Sequence, residues 1–295
     1  MFYAILKNKI FMEVQLLVSK QNGRDSFTSF IQQLVEKFQP TRIISFGEQT
    51  VQNKLKGCFV RKKVKHRHYC LLVCMESCTR IEHTLQDFAN SHFHDGEVTV
   101  VCHGESTIWE EINSNNAFFI TVLSKGKHLY TGDGFLNIET IPKFNPSKSL
   151  EKAEKHYSHR ISLVQGFWEC ARESLSRGNY AITSFLLHQA VEQACIMLIR
   201  VHLSYRSEFH NLRRLLGLCK CFSDEPYNLL VGENPANRRL FEILIKSYGQ
   251  ARYSSEFVVS QKDAQELFDL VSTFIELAKA MRGGKLGILA EELDE

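Results

Sequence analysis

The stretch Gly178–Leu203, GNYAITSFLLHQAVEQACIMLIRVHL, decides how this chain of 295 residues is read. Its apolar residues fall at 182, 185, 186, 190, 194, 197 and 198, the recurrence of one face of an α-helix. The spacing predicts a long helix over 180–203. Within it His188 and Glu192 stand four apart, as do Gln189 and Gln193, so each pair shares a helix face. A polar strip on an otherwise apolar helix needs partners, because an unpaired buried polar group costs about 1–3 kcal/mol. His210 and Arg252 are natural partners across a bundle. Two readings stand side by side. One is a satisfied polar network that fixes helix register. The other is a cleft for a nucleotide or RNA phosphate, anchored by Arg252.

Working outward, the same periodicity recurs on both sides. Helices are predicted over 150–176, 212–219, 238–253 and 264–281, the last closed by Gly283–Gly284. Strand signals almost vanish here, so the second half reads as an all-α bundle of about five helices. Upstream, 141–149 (IPKFNPSKS) holds two of the five prolines and reads as a linker.

The first half is mixed. Phe27–Phe38 is apolar at helical spacing and Pro40 stops it. Short buried strands are predicted at 42–46, ending at Gly47, and at 69–75 and 97–102. Helices are predicted near 81–89 and 108–113, and 118–123 reads as a fourth strand or a helix end. The organisation is therefore α+β in two domains. An extension covers 1–25, a mixed α/β domain 26–140, the linker 141–149, the helical bundle 150–282 and an acidic tail 283–295. Met12 is an alternative start.

Composition narrows the class. The chain is 44% hydrophobic and 23% charged, which excludes a collagen-like, mainly disordered or multi-span membrane protein. At ~100–200 residues per domain, the length suits two domains. Nine cysteines, with no CxxC pair, read as reduced thiols packed as small hydrophobes in a cytoplasmic protein. No metal site is expected, although Cys70, Cys74 and Cys78 recur every four residues. The N-terminus is apolar but broken by Lys7, Lys9 and Glu13, too short a run for a membrane helix. The net charge of +3 names no partner. Its distribution is more telling. From Gln49 to Met75 there is no acid, while Lys54, Lys56, Arg61, Lys62, Lys63, Lys65 and Arg67 supply seven positive charges. This basic loop reads either as an anion site for phosphate, nucleotide or RNA, or as a solvated hairpin tip.

Four motifs in order carry a resemblance. They are Gly178-Asn179-Tyr180, then Phe185-x-Leu-His-Gln-Ala-x-Glu192, then His210-Asn211-Leu212, then Ala251-Arg252-Tyr253. Together they resemble the HEPN superfamily (higher eukaryote and prokaryote nucleotide-binding), in the branch associated with minimal nucleotidyltransferases and related to the C-terminal domain of sacsin. The resemblance covers about 150–280 and implies a nucleotide- or phosphate-binding cleft with His188, Glu192, His210, Arg252 and Tyr253. Many HEPN proteins are metal-independent ribonucleases with an Arg-x(4–6)-His pair. Here no histidine follows Arg252 at that spacing, and Arg206 to His210 is one residue short.

The upstream Pro40, the strand into Phe46-Gly47 and the later Leu71-Leu72-Val73 resemble a minimal nucleotidyltransferase frame. In that family the Phe-Gly turn continues into serine and cradles phosphate, and an Asp-x-Asp pair holds two divalent metals. Here Glu48 replaces the serine, and the acid pair aligns to His68 and Cys70. Those side chains are not the oxygen ligands that hard Mg²⁺ requires. The expectation is therefore a degenerate nucleotidyltransferase-like domain fused to a HEPN bundle. It would be a bacterial pseudoenzyme that binds nucleotide or RNA without catalysis or cofactor, homodimeric through the bundle, in a defence or toxin–antitoxin-like setting. The alternatives are a ribonuclease or residual transferase, and a purely structural oligomerisation partner.

Overall fold

The computed structural model describes residues 26–56, 61–77, 81–134, 141–145 and 149–294; for 51–66, 149–150 and 284–294 the description covers the backbone alone. The expected extension 1–25, the Met12 start, Cys78, Phe59 and Pro146 lie outside the described residues. The chain divides into two compact units after Ile141, with Ser114–Thr121 belonging to the second.

The first unit opens with α1 (Ser26–Phe38). Its apolar stripe of Phe27, Phe30, Ile31 and Leu34 is buried. Gln39 turns into the left-handed region at φ 49° and Pro40 prevents continuation. Four strands follow: β1 (Arg42–Lys56), β2 (Arg61–Met75), β3 (Gly96–Gly104) and β4 (Lys127–Thr131). Their order is β3-β2-β1-β4. β1 pairs antiparallel with β2 and β4, whereas β2 and β3 run parallel. The parallel pair requires a crossover, which α2 (Glu82–His92) supplies.

Helix α2 also closes the open edge of β3. Gln86 donates from Nε2 to the Val98 carbonyl at 2.7 Å and accepts at Oε1 from Val100 N–H at 2.9 Å. Glu82 accepts from Cys102 N–H at 3.2 Å. An edge strand's free backbone groups are thus occupied by side chains. Gly96 is required where β3 begins, since a Cβ there would sit 1.9 Å from the Arg67 carbonyl oxygen. One core joins α1 and α2 to a sheet face made of Ile43, Tyr69, Leu71, Val73, Val98, Val100 and Cys102. Phe27 stacks on Tyr69 at 3.7 Å between ring centres.

One expectation changes, and one alternative left open is decided. The strands expected to end near Gly47 and begin at Tyr69 continue as a two-stranded ribbon, so the basic loop is strand over 48–56 and 61–68. Residues 118–123 lie in a helix, α4 (Ala117–Lys125), which follows α3 (Glu105–Asn113). Its apolar residues Phe118, Phe119, Val122 and Leu123 are buried at helical spacing. Phe118 packs on Tyr205 at 4.6 Å, within the second unit.

The second unit contains α5 (Ser149–Ser176), α6 (Tyr180–Leu203), α7 (Leu212–Cys219), α8 (Glu225–Leu230), α9 (Pro235–Tyr253) and α10 (Gln261–Asp294). Gly178, at φ +77°, closes α5 with Gly178 N–H on Leu175 and Asn179 N–H on Ser174, a turn that favours glycine. Asn211 and Asn234 cap α7 and α9 through their side-chain oxygens. The backbone of α10 continues as helix through Gly283–Gly284, where a stop was expected. Helix α6 is long and apolar enough to span a membrane by length and composition, yet 78% of its apolar window is buried inside the protein. It is the core helix of the bundle.

Candidate functional site

The polar strip of α6 lies deep in the bundle. His188 and Glu192 are each 2% exposed. Glu192 Oε1 meets His210 Nδ1 at 3.0 Å, while Oε2 has no hydrogen-bond partner among the described residues and lies 3.9 Å from His188 Nδ1. Gln189 Nε2 donates to His188 Nδ1 at 3.2 Å, which leaves the imidazole proton on Nε2. Burial, then the nearby Arg252 and His210 charges, depress His188 to about 4, so it is neutral at pH 7. Burial raises the Glu192 carboxyl above its ordinary value, opposed by the His210 hydrogen bond. The His210 side chain is 65% exposed. A buried carboxylate therefore holds an imidazole that faces solvent.

Arg252 takes a different place from the one expected. It makes no ion pair with Glu192. Its Nε donates to the Tyr248 carbonyl at 2.7 Å, and its guanidinium lies 4.5 Å from the Tyr248 ring centre, 5.0 Å from Tyr253 and 5.4 Å from Phe185. Stacking on aromatic faces suits a planar guanidinium. Its two terminal nitrogens have no partner among the described residues. Tyr248 is the hinge of the cluster, with its ring 4.8 Å from His188 and 6.4 Å from His210. Tyr253 is 82% exposed. The structure thus brings His188, Glu192, His210, Arg252 and Tyr253 into one cluster that runs from core to surface.

Three residues were not read as site members: Phe185, Tyr248 and Arg160. Phe185 and Tyr248 carry Arg252, and their positions one turn from known members of the strip were the available signal. Arg160, on the neighbouring bundle helix α5, donates to Gln193 of the strip. A separate groove of about 440 Å³ between α5 and α10, lined in part by Trp168, Ser272 and Lys279, shares no residue with this cluster.

The transferase-like positions in the sheet are arranged otherwise. A bulge between Ser45 and Gly47 sets Phe46 out of register, and Gly47 pairs with Cys70. Glu48 is exposed. His68 and Cys70 are 4% and 1% exposed. His68 Nε2 meets Thr99 Oγ1 at 2.9 Å, and Cys70 Sγ lies 4.0 Å from His68 Nδ1. Parallel pairing places Thr99 opposite Cys70. Where the resembled family keeps carboxylates, this chain has a buried imidazole, thiol and hydroxyl in mutual contact. Among the described residues no group of three or more His, Cys, Asp or Glu is placed to hold a metal ion.

The helical geometry agrees with a family signature. Residues 165–281 match the model of the HEPN domain. That span runs from α5 to α10 and contains the whole polar cluster. Among solved structures, the chain is similar to a nucleotidyltransferase-like protein from Exiguobacterium sibiricum 255-15, with 12% identity over 92% of this chain and 80% of that one, at a TM-score of 0.29. Comparison with curated proteins gives no match.

Proposed function

We propose that the HEPN bundle binds a nucleotide or RNA phosphate without catalysing its transfer or cleavage. The observation that carries this reading is Arg252. Its guanidinium is held over three aromatic rings, and neither terminal nitrogen has an acceptor among the described residues. Such a fork suits a phosphate bidentately. Tyr253 offers an exposed ring for a base, and His210, held by Glu192, presents a second ring at the surface. The pseudoenzyme part of the proposal rests on two features. The bundle lacks an Arg-x(4–6)-His pair, and the sheet has His68 and Cys70 in place of an acid pair. A bacterial, cytoplasmic setting and a homodimer joined through the bundle complete the proposal.

A melting-temperature panel with nucleoside mono-, di- and triphosphates and a short RNA tests it. At least one should raise the melting temperature of the wild type, and Arg252→Ala should remove the rise. No shift with any ligand, or a shift unchanged in the variant, contradicts the assignment. Release of labelled RNA fragments or nucleotidylated product by pure protein would contradict the pseudoenzyme part alone.

A further inference from the structure

The β1–β2 ribbon has an alternation that the linear sequence hides. Beyond the sheet, Thr50 pairs with Arg67, Gln52 with Lys65, Lys54 with Lys63 and Lys56 with Arg61. Directly opposed residues in an antiparallel pair share one face, and each strand alternates faces every residue. Lys54, Lys56, Arg61, Lys63, Lys65 and Arg67 therefore fall on one face. The other face carries Val51 with His66, Asn53 with Val64, and Leu55 with Lys62. Six of the seven cations share a face, and Glu48, opposite Tyr69 at the ribbon's base, is the acid on that side. The Arg67 Nη1 contact with the Tyr69 hydroxyl at 3.3 Å confirms that 67 and 69 share it.

The bulge at Phe46 creates this arrangement. Before it, Ile43 lies on the core face with Tyr69, Leu71 and Val73. One extra residue between Ser45 and Gly47 moves the even positions of β1 to that face. Without the bulge Lys54 and Lys56 would oppose the cations of β2 from the other side.

We propose that this cationic face tracks the phosphate backbone of duplex nucleic acid. Along β2 the charges at 61, 63, 65 and 67 recur about every 6.6 Å over about 20 Å, a regular row suited to successive phosphates. The ribbon residues 48–56 and 61–68 contain no Phe, Tyr or Trp, and Tyr69 is committed to Phe27 in the core. Single strands are held by base stacking as well as charge, and the described residues of the ribbon supply no such platform. A duplex presents phosphates outward and hides its bases, and a two-stranded ribbon fits the major groove of B-form DNA. This face shares no residue with the Arg252 cluster, and the proposal does not rest on it.

Anisotropy titrations of the full chain with labelled duplex DNA, duplex RNA and the matching single strands test the idea. The discriminating variants are Lys63→Glu and Lys62→Glu, neighbours with the same charge change on opposite faces. Lys63→Glu should weaken duplex binding by about tenfold and Lys62→Glu by no more than about threefold. With six phosphate contacts the log–log salt slope should be about −5, and Lys63→Gln should reduce it by about 1. Lys62→Gln should leave the slope unchanged, which keeps the test valid should the glutamate variants misfold. Duplex binding that survives Arg252→Ala supports the ribbon. Equal losses at 62 and 63, a preference for single strands, or loss in Arg252→Ala overturns the proposal.

Discussion

Two clusters of chemically capable side chains sit in this molecule, and they differ in where they end. In the sheet, His68, Cys70 and Thr99 face one another and are all buried. In the bundle, His188 and Glu192 are equally buried, but their chain of contacts continues to His210, Arg252 and Tyr253 at the surface. A cluster satisfied inside the core stabilises its own strands and offers nothing to a ligand. A cluster whose buried members position exposed ones has a place for a partner. Side-chain chemistry is similar in the two; access separates them.

The sharpest way to break this contrast is to restore acids to the sheet. His68→Asp with Cys70→Asp places two carboxylates at positions 4% and 1% exposed. Each buried charge costs several kcal/mol. The double variant should unfold or lose soluble expression. A folded variant that binds Mn²⁺ would show that the sheet site is open after all.

Acid should distinguish the clusters next. His188 is held neutral when folded, near 4 against an ordinary 6.5. The unfolded chain takes up that proton first, so native stability falls as pH drops from 6.5 towards 4, on the order of 3 kcal/mol for a shift of this size. The raised Glu192 carboxyl acts in the opposite direction, because the folded state takes its proton more readily. His188→Asn should flatten the acid limb of chemical-denaturation stability measured between pH 7 and 4. An unchanged limb would mean that His188 titrates normally.

Smaller effects concern the surface end. Arg252 is exposed, so Arg252→Ala should change unfolding free energy by less than about 1 kcal/mol while removing ligand binding. Arg252→Lys keeps the charge but loses the planar fork and should recover binding only in part. Glu192→Gln should leave the fold intact and loosen His210, read as increased mobility of its imidazole ring in NMR side-chain relaxation. No change there would detach Glu192 from the surface site.

Much of the bundle was legible in sequence. Helices 180–203 and 212–219 were read with the bounds they have, because strong 3.6-residue periodicity coincides with clear end signals. The ribbon was not. Residues 48–68 alternate polar with polar or cationic with apolar, and only pairing between strands gives that pattern a face. Segment 118–123, with its β-branched and aromatic content, read as a strand or a helix end, and contacts such as Phe118 with Tyr205 accompany the helix. Helix α8 has only six residues, with Pro226 in its first turn, and left almost no periodic signal. In the site, the His188–Glu192 pair and its tie to His210 could be inferred from spacing. The aromatic seat of Arg252 could not, because it brings Phe185 of α6 against the end of α9, far apart in the chain.

The central claim is that the bundle's surface end binds phosphate through Arg252. Calorimetric titration of nucleoside monophosphates into wild type, Arg252→Ala and a Lys63→Glu/Lys65→Glu variant tests it most directly. The account predicts saturable binding at one site per chain in the wild type. It also predicts at least about tenfold weaker binding in Arg252→Ala at unchanged melting temperature, and no change in the ribbon variant. Equal binding by wild type and Arg252→Ala, or loss only in the ribbon variant, would contradict it.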